Sequence, residues 1–293
     1  MKNFISGRTA VCGILLHPAA HTRSPAMHNA AFLTLGIDAV YVAFDVPPQR
    51  LSAAVAGVRA LGLRQVAVSL PHKVAVLAEL DEIDAVARRI GAVNTVTLSE
   101  ERLVGSNTDW IGAVRALEKE GPLEGRRCVV LGAGGAARAI VYGLLERGAR
   151  VVVLNRKPER ARELAASLGP METGDINDVA KYPYDVLINA TSVGLARDES
   201  PVPASALRAG SVVMDSVYEP EPTRLLCEAA HAGAKTISGK WMLVYQAAEQ
   251  VRLWTGRDAP VDAMVEAFEH GPGVHRSVSA VTAPPAKPGS RKD

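Results

Sequence analysis

The chain has 293 residues, enough for two domains that each bury a sizeable core. Its 33 lysines and arginines against 31 aspartates and glutamates leave a formal net charge of +2, and 4% of residues are aromatic, which argues against a nucleic-acid face built from clustered cations and stacking rings. No apolar run approaches the roughly 20 residues of a membrane span.

Three scattered cysteines (Cys12, Cys128, Cys227) in apolar surroundings predict a reducing compartment and no metal site. The opening "MKNFISGRTAVCG" lacks signal-peptide organisation, so the expected location is the cytoplasm.

In chain order, "AVCGILL" (10–16), "VYVAFDV" (40–46) and "QVAVSL" (65–70) read as strands. Helical patterns lie between them at 24–35 and 49–61, the first opened by Ser24-Pro25 as a cap and first helical residue. Strand-helix-strand repetition implies a largely parallel sheet. A second α/β series follows: helix 109–120, strand 127–131, helix 135–147, strand 150–154, helix 158–168, strands 185–189 and 211–215, helix 222–232 and strand 235–237. Two helices, 241–256 and 260–270, finish the fold, and residues 271–293, rich in Pro, Ser and Ala, read as a disordered tail. The expected division is 1–108, 109–240, 241–270 and that tail.

The turn "GAGGAARA" (132–139) sits between an apolar strand and a helix. Gly132, Ala133, Gly134, Gly135 and Ala136 are therefore candidates to cradle a pyrophosphate at a helix N-terminus. Where an NAD-specific fold places an acid, about 20 residues on, this chain has Asn155, followed by Arg156, Lys157 and Arg160. No acid there repels a 2′-phosphate. Three cations at the positive end of a helix dipole also call for an anion, so NADP(H) is predicted over NAD(H).

In the first half, "HTRSPAMHNAAF" (21–32) sets Thr22 and Ser24 before a helix, where hydroxyls can hold a small carboxylate. "SLPHK" (69–73) puts Lys73 just past a strand, while "GAVNT" (91–95) and "GSNTDWIG" (105–112) offer Asn94 and Asp109 at expected loop positions. Taken singly, each has an ordinary structural reading as a cap, a surface charge or a turn residue.

Taken in order with "NATSVGL" (189–195), "YEPEPTRLL" (218–226) and "WMLVYQAA" (241–248), these stretches resemble the shikimate/quinate dehydrogenase family from about Gly13 to Gly256, nearly the whole chain before the tail. The resemblance implies an α/β enzyme with an N-terminal substrate domain, a Rossmann-type NADP-binding domain and C-terminal helices that return to the substrate domain. It implies reversible hydride transfer between NADP(H) and a cyclic hydroxy-carboxylic acid, shikimate to 3-dehydroshikimate in the best-known members, a step of aromatic amino acid biosynthesis. The working form would be a monomer or homodimer with no membrane partner.

Hydride transfer to a ketone creates an alkoxide that needs an acid nearby. Lys73 suits that task, and the family pairs its lysine with the acid matched by Asp109. The resemblance further assigns Asn94 and Gln246 to ring hydroxyls, Thr22, Ser24 and Tyr218 to the carboxylate, and Ser69 to the substrate wall. Asn189, Thr191, Ser192 and Gly239 fall on the cofactor side.

Two positions depart from the family. Thr22 stands for a serine, and Ala67 for the asparagine that usually opens the strand before Lys73. Both are expected to alter the pocket near the acid, leaving quinate or another cyclic hydroxy acid as alternative substrates. A non-catalytic NADP-binding protein is the alternative of another class.

Overall fold

A computed structural model describes residues 5–271. Its first sheet is built from β1 (Ala10–Leu16), β2 (Ala39–Asp45), β3 (Gln65–Val68), β4 (Glu82–Ile83), β5 (Thr95–Ser99) and β6 (Arg102–Ser106), with α1 (Ser24–Leu35), α2 (Leu51–Ala60) and α3 (Ala85–Ile90) between them. The strand order is β2-β1-β3-β5-β6-β4. β1 runs parallel to both β2 and β3, but β5 is antiparallel to β3 and to β6. β4 runs parallel to β6, so β5 alone is reversed and the expectation of a largely parallel sheet holds for the other five strands. The sequence pattern does not mark α3 or the β5–β6 hairpin. That hairpin turns at Glu100 and Glu101, both at positive φ (47° and 64°), a conformation usually given to Asn or Gly.

The second sheet follows α4 (Asp109–Glu118). It contains β7 (Arg127–Leu131), β8 (Arg150–Asn155), β9 (Glu172–Asp175), β10 (Val186–Asn189), β11 (Val212–Asp215) and β12 (Lys235–Ile237), with α5 (Gly135–Glu146), α6 (Pro158–Leu168) and α7 (Arg224–His231) in the crossovers. All six strands are parallel, in the order β12-β11-β10-β7-β8-β9. Helices on the faces of such a sheet demand strands that are apolar on both sides. "CVVL", "VVVL" and "VLIN" meet that demand. The order reverses between β7 and β10, and ligands bind at such a switch point, beyond the carboxyl ends of the strands.

The final helices, α8 (Gly239–Thr255) and α9 (Val261–His270), return to the first sheet. Val244, Ala247 and Val251 of α8 and Met264 and Phe268 of α9 join Cys12, Ile14, Met27 and Phe32 in one buried core. α4 lies between the two sheets. A Cβ built on its Gly112 would come within 2.5 Å of the Met242 carbonyl oxygen in α8, so only glycine permits this approach. Among the described residues no helix is long and apolar enough to cross a membrane. The tail expected from 271 onward lies, apart from Gly271, outside the described residues.

Asp215 ends β11 with none of its surface exposed. Burial pushes its carboxyl up from 3.8 to about 6, opposed by hydrogen bonds from the Val217 amide, Thr223 and Asn189. The folded chain thus holds this proton more tightly than the unfolded chain does. The resulting contribution, about 3 kcal/mol for a shift of roughly two units, is present below pH 4, lost as pH rises to about 6, and level above that. Asp215→Asn has no proton to lose. Thermal melts should show the variant gaining on the wild type between pH 4 and 7, and a constant or shrinking difference would contradict the assignment.

Candidate functional site

Ser69 and Leu70 follow β3 into a turn that carries Lys73, and Asp109 is the first residue of α4. These two side chains meet, with Lys73 Nζ 2.5 Å from Asp109 Oδ2 and the side chains 13% and 5% exposed. The other carboxylate oxygen, Oδ1, accepts from Asn94 Nδ2 at 2.9 Å. The same amide nitrogen also reaches Thr108 Oγ1 at 2.9 Å and Gln246 Oε1 at 3.1 Å. Asn94 has two amide hydrogens for these three acceptors. The cluster therefore has acceptor capacity to spare, which suits a ligand rich in hydroxyl donors.

Lys73, Asp109 and Gln246 open onto one cavity between the sheets, together with Ser69, Ala136, Thr191, Ser192, Tyr218 and Gly239. Nine of the expected residues thus share a wall. The remaining ones do not. Asn94 is buried behind Asp109, and Asn189 is wholly buried with its amide turned to Asp215 and the Val193 carbonyl.

Ser24 also departs from its expected place. It is not the cap of α1 but its first residue, 2% exposed, and Thr22 Oγ1 accepts its amide at 3.3 Å. Thr22 instead lies against Tyr218, whose hydroxyl is pushed up to about 12 by burial while Thr22 hydrogen-bonds to it. Ala67 does not face the cavity. It sits at 7% exposure in the apolar core with Tyr41 and Val244.

The turn after β7 fits a nucleotide. Gly132 has φ +110°, and a Cβ there would lie 3.0 Å from the Ala190 carbonyl oxygen. The N-cap of α5, Gly134, places no side chain over the first amides, which leaves them free for an anion. The Gly132 amide donates to the Leu154 carbonyl, which ties this turn to the end of β8. Asn155 follows there, with its side-chain amide on the Lys157 carbonyl, and Arg156, Lys157 and Arg160 are exposed beside it. Lys73 itself leans on the turn, since a Cβ at Gly135 would lie 3.0 Å from Lys73 Cβ.

Sequence reasoning misses His17 and His21, which line the cavity, and the apolar wall of Leu70, Leu195, Met242 and Leu243. His17 Nδ1 pairs with Asp45 Oδ1 at 2.8 Å. An isolated histidine after a strand carries no pattern that marks it. Asp215 carries one weak signal, an acid closing the apolar run "VVM" at the ligand-binding edge of a parallel sheet.

Comparison with known proteins agrees with this geometry. Residues 14–96 match the shikimate dehydrogenase substrate binding domain, 115–200 the shikimate/quinate 5-dehydrogenase family and 239–267 the shikimate 5'-dehydrogenase C-terminal domain. A shikimate dehydrogenase (NADP(+)) of Thermococcus kodakarensis is 50% identical over 85% of this chain and 92% of its own length. Among solved structures, a shikimate dehydrogenase in complex with NADP+ superposes with a TM-score of 0.86 at 40% identity, covering 91% of this chain and 96% of that one. The Thermus thermophilus shikimate 5-dehydrogenase in complex with NADP(H) and shikimate gives 0.82 at 42% identity, over 89% of this chain and 98% of that one. With its two sheets, its returning helices and its cleft, the chain belongs to the shikimate dehydrogenase family.

Proposed function

We propose that this chain is an NADP-dependent shikimate dehydrogenase that reversibly interconverts shikimate and 3-dehydroshikimate in the cytoplasm. The observation that carries the reading is the Lys73–Asp109 pair, held in the cavity wall and packed directly against the glycine turn. Bound NADP supplies the hydride acceptor, or the donor when reduced. Residues 132–136 would hold its pyrophosphate, and Arg156, Lys157 and Arg160 its 2′-phosphate, with Thr191, Ser192 and Gly239 along the same wall. Residues 1–108 with 241–270 would act as the substrate unit and 109–240 as the nucleotide unit.

As charge develops on the ketone oxygen, the Lys73 ammonium delivers a proton to it, and in the opposite direction Lys73 accepts the proton of the alcohol. Asp109 keeps the ammonium aimed. Its own rotation is blocked because Asn94 holds the second oxygen. Gln246 and Asp109 offer lone pairs to ring hydroxyls, which would otherwise be buried unsatisfied. Thr22 and Tyr218, above the first turn of α1, form the grip on the ring carboxylate, with Ser24 lying deeper.

Turnover with NADP+ should exceed turnover with NAD+ in kcat/KM, and Arg156→Ala should narrow the gap. Equal values in the wild type would remove the 2′-phosphate argument.

Lys73→Met should lower kcat by roughly 10²–10⁴, the usual scale for a positioned acid–base group, with NADP+ affinity near wild type. Retention of most activity would place the proton transfer elsewhere.

A panel of shikimate, quinate and related cyclic acids tests the substrate. Shikimate should be oxidised, and Thr22→Ser should improve its kcat/KM by relieving the extra methyl group beside Tyr218. Preference for quinate would select the alternative substrate. No turnover of any acid, with NADP+ still bound, would select a non-catalytic protein.

A further inference from the structure

Two loops of the second sheet contribute to the cavity wall. Thr191, Ser192 and Leu195 come from the loop after β10, and Ser216, Val217 and Tyr218 from the loop after β11. Both loops are rooted in one carboxylate. Asp215 Oδ1 accepts from Asn189 Nδ2 at 2.8 Å and from the Val217 amide at 3.0 Å, and Oδ2 accepts from Thr223 Oγ1 at 2.7 Å.

Asn189 passes the constraint on. Its Oδ1 accepts from the Thr191 amide at 3.0 Å and from the Thr191 hydroxyl at 2.7 Å, and that hydroxyl accepts the Val193 amide at 3.1 Å. The Ser216 amide, in turn, donates to the Asn189 carbonyl. At the far end of the second loop, Thr223 caps α7.

We infer that Asp215 is a positioning residue, whose acceptor oxygen sets the two cavity loops in register with each other and so places the cofactor-side hydroxyls relative to Tyr218. Every partner of this carboxylate is uncharged, so its burial at neutral pH is not compensated by a cation. Gly239 closes the site from α8, packed so tightly that a Cβ would lie 2.8 Å from the Asp215 carbonyl oxygen. An uncharged acceptor of the same shape would meet the geometric demand as well. The inference thus concerns the oxygen and not the charge. It rests on the proposed reaction only in taking these loops as the wall of a hydride-transfer site.

The test compares the full-length wild type with Asp215→Ala, Asp215→Asn, Asn189→Ala and the double alanine variant. Two quantities are read: kcat and KM for shikimate with NADP+, and amide hydrogen exchange in 190–195 and 216–223. Asp215→Ala should lower kcat/KM by about 10²-fold, the scale of a misplaced substrate, and raise exchange in both loops but not in β7, β8 or the first sheet. Asp215→Asn keeps an acceptor and should recover activity to within about five-fold of wild type. Because the two residues share the bond that joins the loops, the double variant should lose less than the two single losses combined.

Additive losses, failure of Asp215→Asn to rescue, or exchange rising across the whole second sheet would overturn the inference. If Asp215→Ala yields no folded chain, Asp215→Ser, whose oxygen is too short to span both donors, carries the same expectation. A wild type inactive on every cyclic acid would sink the proposed function instead, and the exchange comparison would still decide the role of Asp215.

Discussion

Asn94 has Thr108, Asp109 and Gln246 within hydrogen-bond reach of one nitrogen, and its side-chain oxygen accepts the Thr108 amide at 2.8 Å and the Thr95 hydroxyl at 2.8 Å. The entry to β5, the N-terminus of α4 and the middle of α8 therefore meet at a single buried amide. Gln250, one turn further along α8, adds a bond from its own amide to the Asn94 carbonyl. A buried polar group of this kind is costly when unsatisfied and rigid when satisfied. Here it is satisfied by residues drawn from both ends of the chain. The geometry of Lys73 follows from it, because Asp109 can face the lysine with one oxygen only while the other is held.

The return of α8 and α9 to the first sheet makes the unit built on that sheet discontinuous in sequence. β1 and α1 expose an apolar face that Val244, Ala247, Val251, Met264 and Phe268 cover. Without them that face would remain in water. The same return brings Phe268 edge-on to the Tyr218 ring, with centroids 5.9 Å apart, so the last helix also braces a loop of the other sheet. Arg23 and Glu219 add an ion pair at 3.3 Å between the same two regions, partly exposed and worth little by itself.

The second sheet is legible in the sequence because parallel strands covered on both faces appear as unbroken apolar runs, and β7, β8, β10 and β11 all do so. β9, "ETGD", has no such run and escapes notice. The β5–β6 hairpin escapes for the opposite reason, since its strands alternate acceptably but its turn lacks the residues that announce one. Lys73 and Asp109 are visible as polar groups in short motifs. That they touch, and that Asn94 binds a glutamine 152 positions away, is tertiary information absent from any local pattern. Motif order also points to Ser24 and Asn189, and packing buries both, while Thr22 and Thr191 stay half-buried.

Gly112 brings α4 and α8 together main chain to main chain, with no side chain between them. Gln246 lies at that contact and Asp109 one turn before it, so their separation is set largely by peptide atoms whose size never varies. Elsewhere in the protein a change of core volume is absorbed by small shifts of whole helices. At this crossing there is nothing to repack, so substitutions accumulating in either hydrophobic core leave the spacing of the polar cluster unchanged. The span between the Lys73–Asp109 pair and Gln246 is thereby insulated from drift in the surrounding sequence.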